Sequence, residues 1–218
     1  MKIDRTKNAG RNIVFGCMLK IYQIVMPFIM RTLMIYYMGI QYLGLNSLFT
    51  SILQVLNLAE LGVGSAMVYS MYKPIAVDDK KMICALMKLY RTYYRVIGII
   101  IAFLGLCLVP FIPKLIKSDV PADINIYILY ILNLSVTVLS YWLFAYKNCL
   151  LDAHQRTDVA SKATLVTNTL QYIVQFFTLC FLKNYYAYII VSLAAQALTN
   201  ILTAVVTCLL YTSPSPRD

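Results

Sequence analysis

Long apolar runs separated by short polar gaps organise this chain. They fall at residues 12–37, 42–70, 96–116, 124–151, 163–182 and 187–211. At about 1.5 Å of helix rise per residue, each is long enough to cross a hydrocarbon layer of about 30 Å. Strands of a membrane barrel need only about 9 to 11 residues. The pattern therefore predicts an all-α fold, a polytopic membrane helix bundle of about six spans in which every backbone donor and acceptor is satisfied within its own helix. Two connections are tight, MGIQ at 38–41 and KNYY at 183–186. The gap at 71–95 is longer, and Met82, Ala85, Leu86 and Leu89 share one face of it while Lys81, Lys88 and Arg91 lie away. That spacing predicts an amphipathic helix lying at the interface ahead of the third span. Pro110 and Pro113 interrupt the end of that span.

Composition strengthens the membrane reading. Of 218 residues, 61% are hydrophobic and 13% charged, with a mean hydropathy of +0.71; a soluble domain carries roughly 25% charged residues. The net charge of +10 does not gather on a basic face for nucleic acid but sits in the gaps. Lys2, Arg5, Lys7 and Arg11 precede the first span; Lys73, Lys80, Lys81, Lys88, Arg91 and Arg95 separate the second from the third; Lys147, Arg156 and Lys162 flank the fourth-to-fifth gap. The opposite gaps carry only Lys114, Lys117 and Lys183. Because Lys/Arg excess marks the cytoplasmic side, the N-terminus and the longer loops are expected to be cytoplasmic, in a multi-pass protein of the cell membrane. The apolar run behind the basic N-terminus far exceeds a signal-peptide core and is expected to remain as the first span. Residues 1–210 then form one transmembrane lobe. The tail at 211–218, ending TSPSPRD, reads as foreign to it, so a fragment of a longer protein is expected.

Little here suggests catalysis. The six cysteines form no CxxC pair and are expected to be small buried side chains rather than metal or redox groups. His154 is the single histidine and lies in a polar connection between Asp152 and Asp158, where a solvated loop side chain is expected. Asp78 and Asp79 read as a solvated turn. No GxxxxGK[ST] loop is present, so ATP is not expected as the energy source; no other cofactor is expected, and no metal, since His154 stands without a ligand cluster. A membrane enzyme would need clustered acids, histidines or a metal site near one interface, whereas the carboxylates here are scattered.

Polar groups inside the spans are more informative. Arg31 and Glu60 lie within apolar runs, where a charge costs at least about 2.5 kcal/mol and usually faces a cavity or a partner. Measured along their helices they sit roughly 28 Å and 15 Å from the basic end. An ion pair between them and snorkelling of Arg31 to the headgroups are two readings. A cavity-facing arginine that holds an anionic group is the third, and the preferred one. Uncharged polar residues recur at spacings of three and four, which places each set on one helix face. Asn46, Thr50, Gln54, Asn57 and Glu60 do so on the second span, Asn168, Gln171 and Gln175 on the fifth, and Ser192, Gln196, Asn200, Thr203 and Thr207 on the sixth. Such residues often bond neighbouring helices together; three stripes on separate helices also suit a hydrated cavity. The candidate path residues are Arg31, Glu60, Asn46, Asn57, Gln171, Gln175, Gln196 and Asn200. Gly62 and Gly64 would permit close helix approach or a break beside Glu60.

Several runs carry a family resemblance. They are RTLMIYYMG (31–39), YLGLNSLFTSILQVLNLAELGVGSAMVYSMYKPIA (42–76), LYRTYYRVIG (89–98), PFIPKLIKSDVP (110–121) and YKNCLLDAHQRTD (146–158). In order and spacing the chain resembles the N-terminal half of Wzx-like polysaccharide flippases of the MATE-like exporter superfamily. The resemblance implies two lobes around a central cavity, of which this chain supplies one, with a C-terminal lobe as partner. It implies a polyprenyl-diphosphate-linked oligosaccharide as the molecule moved, membrane lipid around it, and a coupling cation. Arg31 would be the basic residue that binds substrate, Glu60 a group for ion coupling or structural polarity. A small-molecule exporter of the same fold is the alternative.

Overall fold

The computed structural model describes residues 5–57, 63–116, 121, 123–143 and 145–212, and all of the regular structure among them is helical. The helices are α1 (Arg5–Tyr37), α2 (Ile40–Asn57), α3 (Val63–Ala76), α4 (Lys80–Leu108), α5 (Ile112–Leu115), α6 (Ile126–Trp142), α7 (Asn148–Ala153), α8 (Thr157–Phe177) and α9 (Tyr185–Thr212). Local chemistry sets several of the boundaries. Gly39, at φ 105°, takes the left-handed turn that ends α1, and its N–H returns to the Met34 and Ile35 carbonyls. Asp79 caps α4 by accepting from the Met82 N–H at 3.0 Å, so the aspartate pair does more than solvate a turn. Asn125 and Asn184 cap α6 and α9 in the same way. A π-helical turn, Thr178–Leu182, closes α8 and is stopped by Lys183 in the left-handed region.

Four helical stretches among the described residues are long and apolar enough to cross a membrane: Gly10–Tyr37, Lys80–Leu115, Thr157–Leu182 and Tyr185–Thr207; Ile126–Trp142 is a shorter apolar helix. The protein is thus an all-α, multi-pass membrane bundle. Two details differ from the sequence expectation. The interfacial helix and the third span are one continuous α4, because no proline or glycine separates Lys80 from Arg95 and the Tyr90, Tyr94, Ile97, Ile101 face continues unbroken into the core. The described parts of the second run, α2 and α3, lie on either side of 58–62, which are outside the described residues. The fourth run leaves helical geometry at Leu143 and resumes as the short α7, which packs on α3. Cysteines differ too: of those whose exposure is described, Cys149 is buried, while Cys17, Cys84 and Cys107 face outward.

The core lies where α4 and α6 meet. Phe49, Ile101, Leu129 and Tyr130 are fully buried there, and Phe49 meets Tyr130 edge-on at 5.6 Å between ring centres. Gly98 and Gly105 let the helices approach: Leu134 lies over Gly105, and the Tyr130 hydroxyl donates to the Gly105 carbonyl at 3.1 Å. α1 is arranged differently. It turns Ile13, Ile21, Ile24 and Phe28 outward, as a helix against lipid would, and packs mainly on α8. Its basic end is fastened there. Asp158, fully buried, lies 3.0 Å from Arg156 Nε, 3.6 Å from Lys162 Nζ and 3.7 Å from Arg11 Nε. Asn12 adds two bonds, accepting from the Asp158 N–H and donating to the Gln155 carbonyl, both at 2.9 Å. The Lys162 ammonium also sits 4.2 Å from the centre of the Phe15 ring.

Candidate functional site

Among the described residues, two cavities with polar groups in their walls lie within the bundle. The first, about 390 Å³, lies among α1, α2, α6, α8 and α9 around Arg31. Its walls include Asn46, Thr50 and Gln54 from α2, Asn133 from α6, Gln171 and Gln175 from α8, and Ser192 from α9. Helical spacing of three and four explains why α2 and α8 each present several amides and hydroxyls to one space. Arg31 is the one charged residue among the described lining, is exposed, and makes no ion pair with any described residue. Glu60, expected as its possible partner, lies outside the described residues.

Gln175 is the most constrained member. Although it lines this cavity, it is 1% exposed. Its amide donates to Ser192 Oγ at 2.7 Å and to the Tyr188 carbonyl at 3.2 Å, while its Oε1 has no hydrogen-bond partner among the described residues. Gln171 reaches the same Ser192 oxygen at 3.4 Å. A buried carbonyl of this kind calls for a donor, which a hydroxyl-bearing ligand or a water can supply.

The second cavity, about 730 Å³, lies among α3, α4, α6, α7 and α9. Four tyrosines line it, Tyr69 and Tyr72 from α3, Tyr94 from α4 and Tyr141 from α6, together with Ser65, Ser140, Asn148, Gln196 and Asn200. Asn57 joins through Tyr141, whose hydroxyl donates to its Oδ1 at 3.1 Å. Asn200 donates to the Ser140 carbonyl at 3.2 Å and accepts from Gln196 at 3.4 Å. The charged residue of this cavity is Asp152. Among the described residues no hydrogen bond or ion pair holds its carboxylate. Two residues on, His154 is half-buried rather than solvated: its Nδ1 lies 2.8 Å from the Leu150 carbonyl, and burial draws its pKa down.

α9 contributes to the walls of both cavities. Tyr188 and Ser192 line the first, Gln196 and Asn200 the second. At spacings of four they form one face, advancing about 6 Å per step. Members of the stripe also bond neighbouring helices, Ser192 accepting from Gln175 of α8 and Asn200 donating to the Ser140 carbonyl of α6. Beyond the cavities, Thr199 donates to Thr167 at 2.6 Å and so joins α9 to α8, while Thr203 and Thr207 bond back to their own helix.

The candidate path residues thus separate into two groups, Arg31, Asn46, Gln171 and Gln175 against Asn57, Gln196 and Asn200. Asp152 was not among them, since it stands just past an apolar run in a string of polar residues. That no described residue pairs with it comes from the fold around it. Among the described residues no group of three or more His, Cys, Asp or Glu is placed to hold a metal. Comparisons of the chain with protein-family models, curated proteins and solved structures gave no match, so the two cavities lined from one face of α9 are the ground for a functional reading.

Proposed function

We propose that the chain is a lobe of a transporter that moves a lipid-diphosphate-linked oligosaccharide across the cell membrane, with its N-terminus on the cytoplasmic side. The observation that carries this is a pair of cavities with polar groups in their walls, both lined from one face of α9, inside an apolar bundle. A hydroxylated, charged head needs a wet path, while its lipid tail can stay in the bilayer; alternating exposure of that path to the two sides is the usual device. Arg31, with no acid beside it among the described lining, supplies a guanidinium for a diphosphate. The amides and hydroxyls of both cavities supply partners for sugar hydroxyls. A second lobe, as the resemblance implies, would close the open sides. The six-span count belongs to this proposal, with α2–α3 and α6–α7 as the additional crossings.

A small-cation exporter of the same fold is the second reading, favoured by Asp152 among four tyrosines. Reconstitution separates the two. With a fluorescent lipid-diphosphate-linked oligosaccharide in proteoliposomes, protein-dependent transfer between leaflets is expected, and Arg31→Ala should slow it about tenfold by removing one charge-assisted contact. Export of organic cations without glycolipid turnover would contradict the proposal.

A further inference from the structure

The two cavities differ in sign. The described lining around Arg31 holds one cation and no acid, whereas the lining of the larger cavity holds one acid, Asp152, and no cation. A carboxylate removed from bulk water is ordinarily met by a cation or a set of hydrogen-bond donors. Asp158, six residues on, shows what that looks like, with cations at 3.0, 3.6 and 3.7 Å. Among the described residues Asp152 has none of these partners, although it opens into space for a ligand.

The surroundings narrow what would satisfy it. The titratable groups lining the same cavity are the phenols of Tyr69 and Tyr72 on α3, Tyr94 on α4 and Tyr141 on α6, with the thiol of Cys149 on α7. α9 contributes the amides Gln196 and Asn200. Outside the lining, Lys147 precedes α7 and His154 follows it, and Asp158 on α8 is held by its own cations. Faces of tyrosine attract cations through the ring quadrupole. Hydroxyls and amides bond hydroxylated ligands, and a free carboxylate supplies a countercharge.

We propose that the larger cavity is an ammonium site, in which Asp152 supplies the countercharge and the tyrosines the walls for a protonated amino group on a hydrophilic ligand. This rests on reading the cavities as a transport path, and it assigns the carried sugar a free amino group. The same chemistry could come from a free organic cation, so the test includes one.

The test is equilibrium binding to the protein in lipid nanodiscs at neutral pH, using glucosamine, N-acetylglucosamine and tetramethylammonium as probes. Trp142, the single tryptophan and the neighbour of Tyr141, provides an intrinsic fluorescence signal. Glucosamine is expected to bind about tenfold more tightly than N-acetylglucosamine, whose nitrogen carries no charge, as one charge pair of about 1.4 kcal/mol would give. Asp152→Asn should remove that preference and Asp152→Glu should keep it, which separates loss of charge from loss of fold. Equal binding of the two sugars, or a preference that survives Asp152→Asn, would overturn the proposal. Tetramethylammonium binding as tightly as glucosamine, and equally dependent on Asp152, would support the ammonium site while counting against glycolipid as the cargo. Failure of glycolipid transfer with an intact amine preference would likewise overturn only the transport reading.

Discussion

Asparagine in place of Asp158 is expected to cost the protein about 3 kcal/mol, measured as a loss of unfolding free energy in lipid bicelles. Removing one partner of a buried ion pair typically costs about 3–5 kcal/mol. The lower end applies because the side chains of Arg156, Lys162 and Arg11 remain 22%, 46% and 35% exposed and can turn toward water. The asparagine would still fill the space, but it brings no charge to offset the mutual repulsion of these cations. Both Asn12 bonds would survive, since they engage the backbone of Asp158 and Gln155. Lys162→Met leaves Arg156 at 3.0 Å from the carboxylate and should cost about 1 kcal/mol or less. Equal losses for the two variants would mean that the carboxylate is not the centre of this clasp.

Gly105→Val should be comparably damaging, at about 3 kcal/mol, by overpacking. A Cβ at Gly105 would fall 2.4 Å and 2.8 Å from the two methyl carbons of Leu134, which is itself buried. Valine adds two further methyl groups to that space and would push on the Tyr130 hydroxyl that bonds the Gly105 carbonyl. Adding Leu134→Ala to Gly105→Val should restore part of the loss, a coupling that a double-mutant cycle reads directly. Gly44 is the control. Nothing lies within 4 Å of a Cβ there, so Gly44→Ala in the same unfolding assay should be neutral or gain a few tenths of a kcal/mol from helix propensity.

These two sites mark the limit of what the amino-acid sequence discloses. Apolar run length is enough to specify a multi-pass helical bundle, because lipid leaves the backbone few alternatives. Stripes at spacings of three and four placed Asn46 and Thr50, Gln171 and Gln175, and Gln196 and Asn200 correctly relative to one another, since they need only the helical period. What one helix meets on another is not local information. Asp158 reads as one polar residue in a loop, and nothing near it announces Arg11 or Asn12 far upstream. Asp152 carries even less signal, because its distinction is the absence of a partner among the described residues. The uninterrupted α4 was hidden by its own amphipathic start: basic residues suggested an interface, yet Tyr90 and Tyr94 continue the buried face of Ile97 and Ile101.

The central claim is a hydrated path through an apolar bundle, and thiol accessibility measures it most directly. In a background with the native cysteines replaced, single cysteines would stand at Thr50 in the smaller cavity, Asn200 in the larger one, and Phe28 on the outward face of α1. Intact membranes would then be treated with a membrane-impermeant, water-soluble thiol reagent from each side. The path predicts labelling at both cavity positions and protection of Phe28→Cys in lipid. Protection of Thr50→Cys and Asn200→Cys from both sides, or labelling of Phe28→Cys at the same rate, would contradict it.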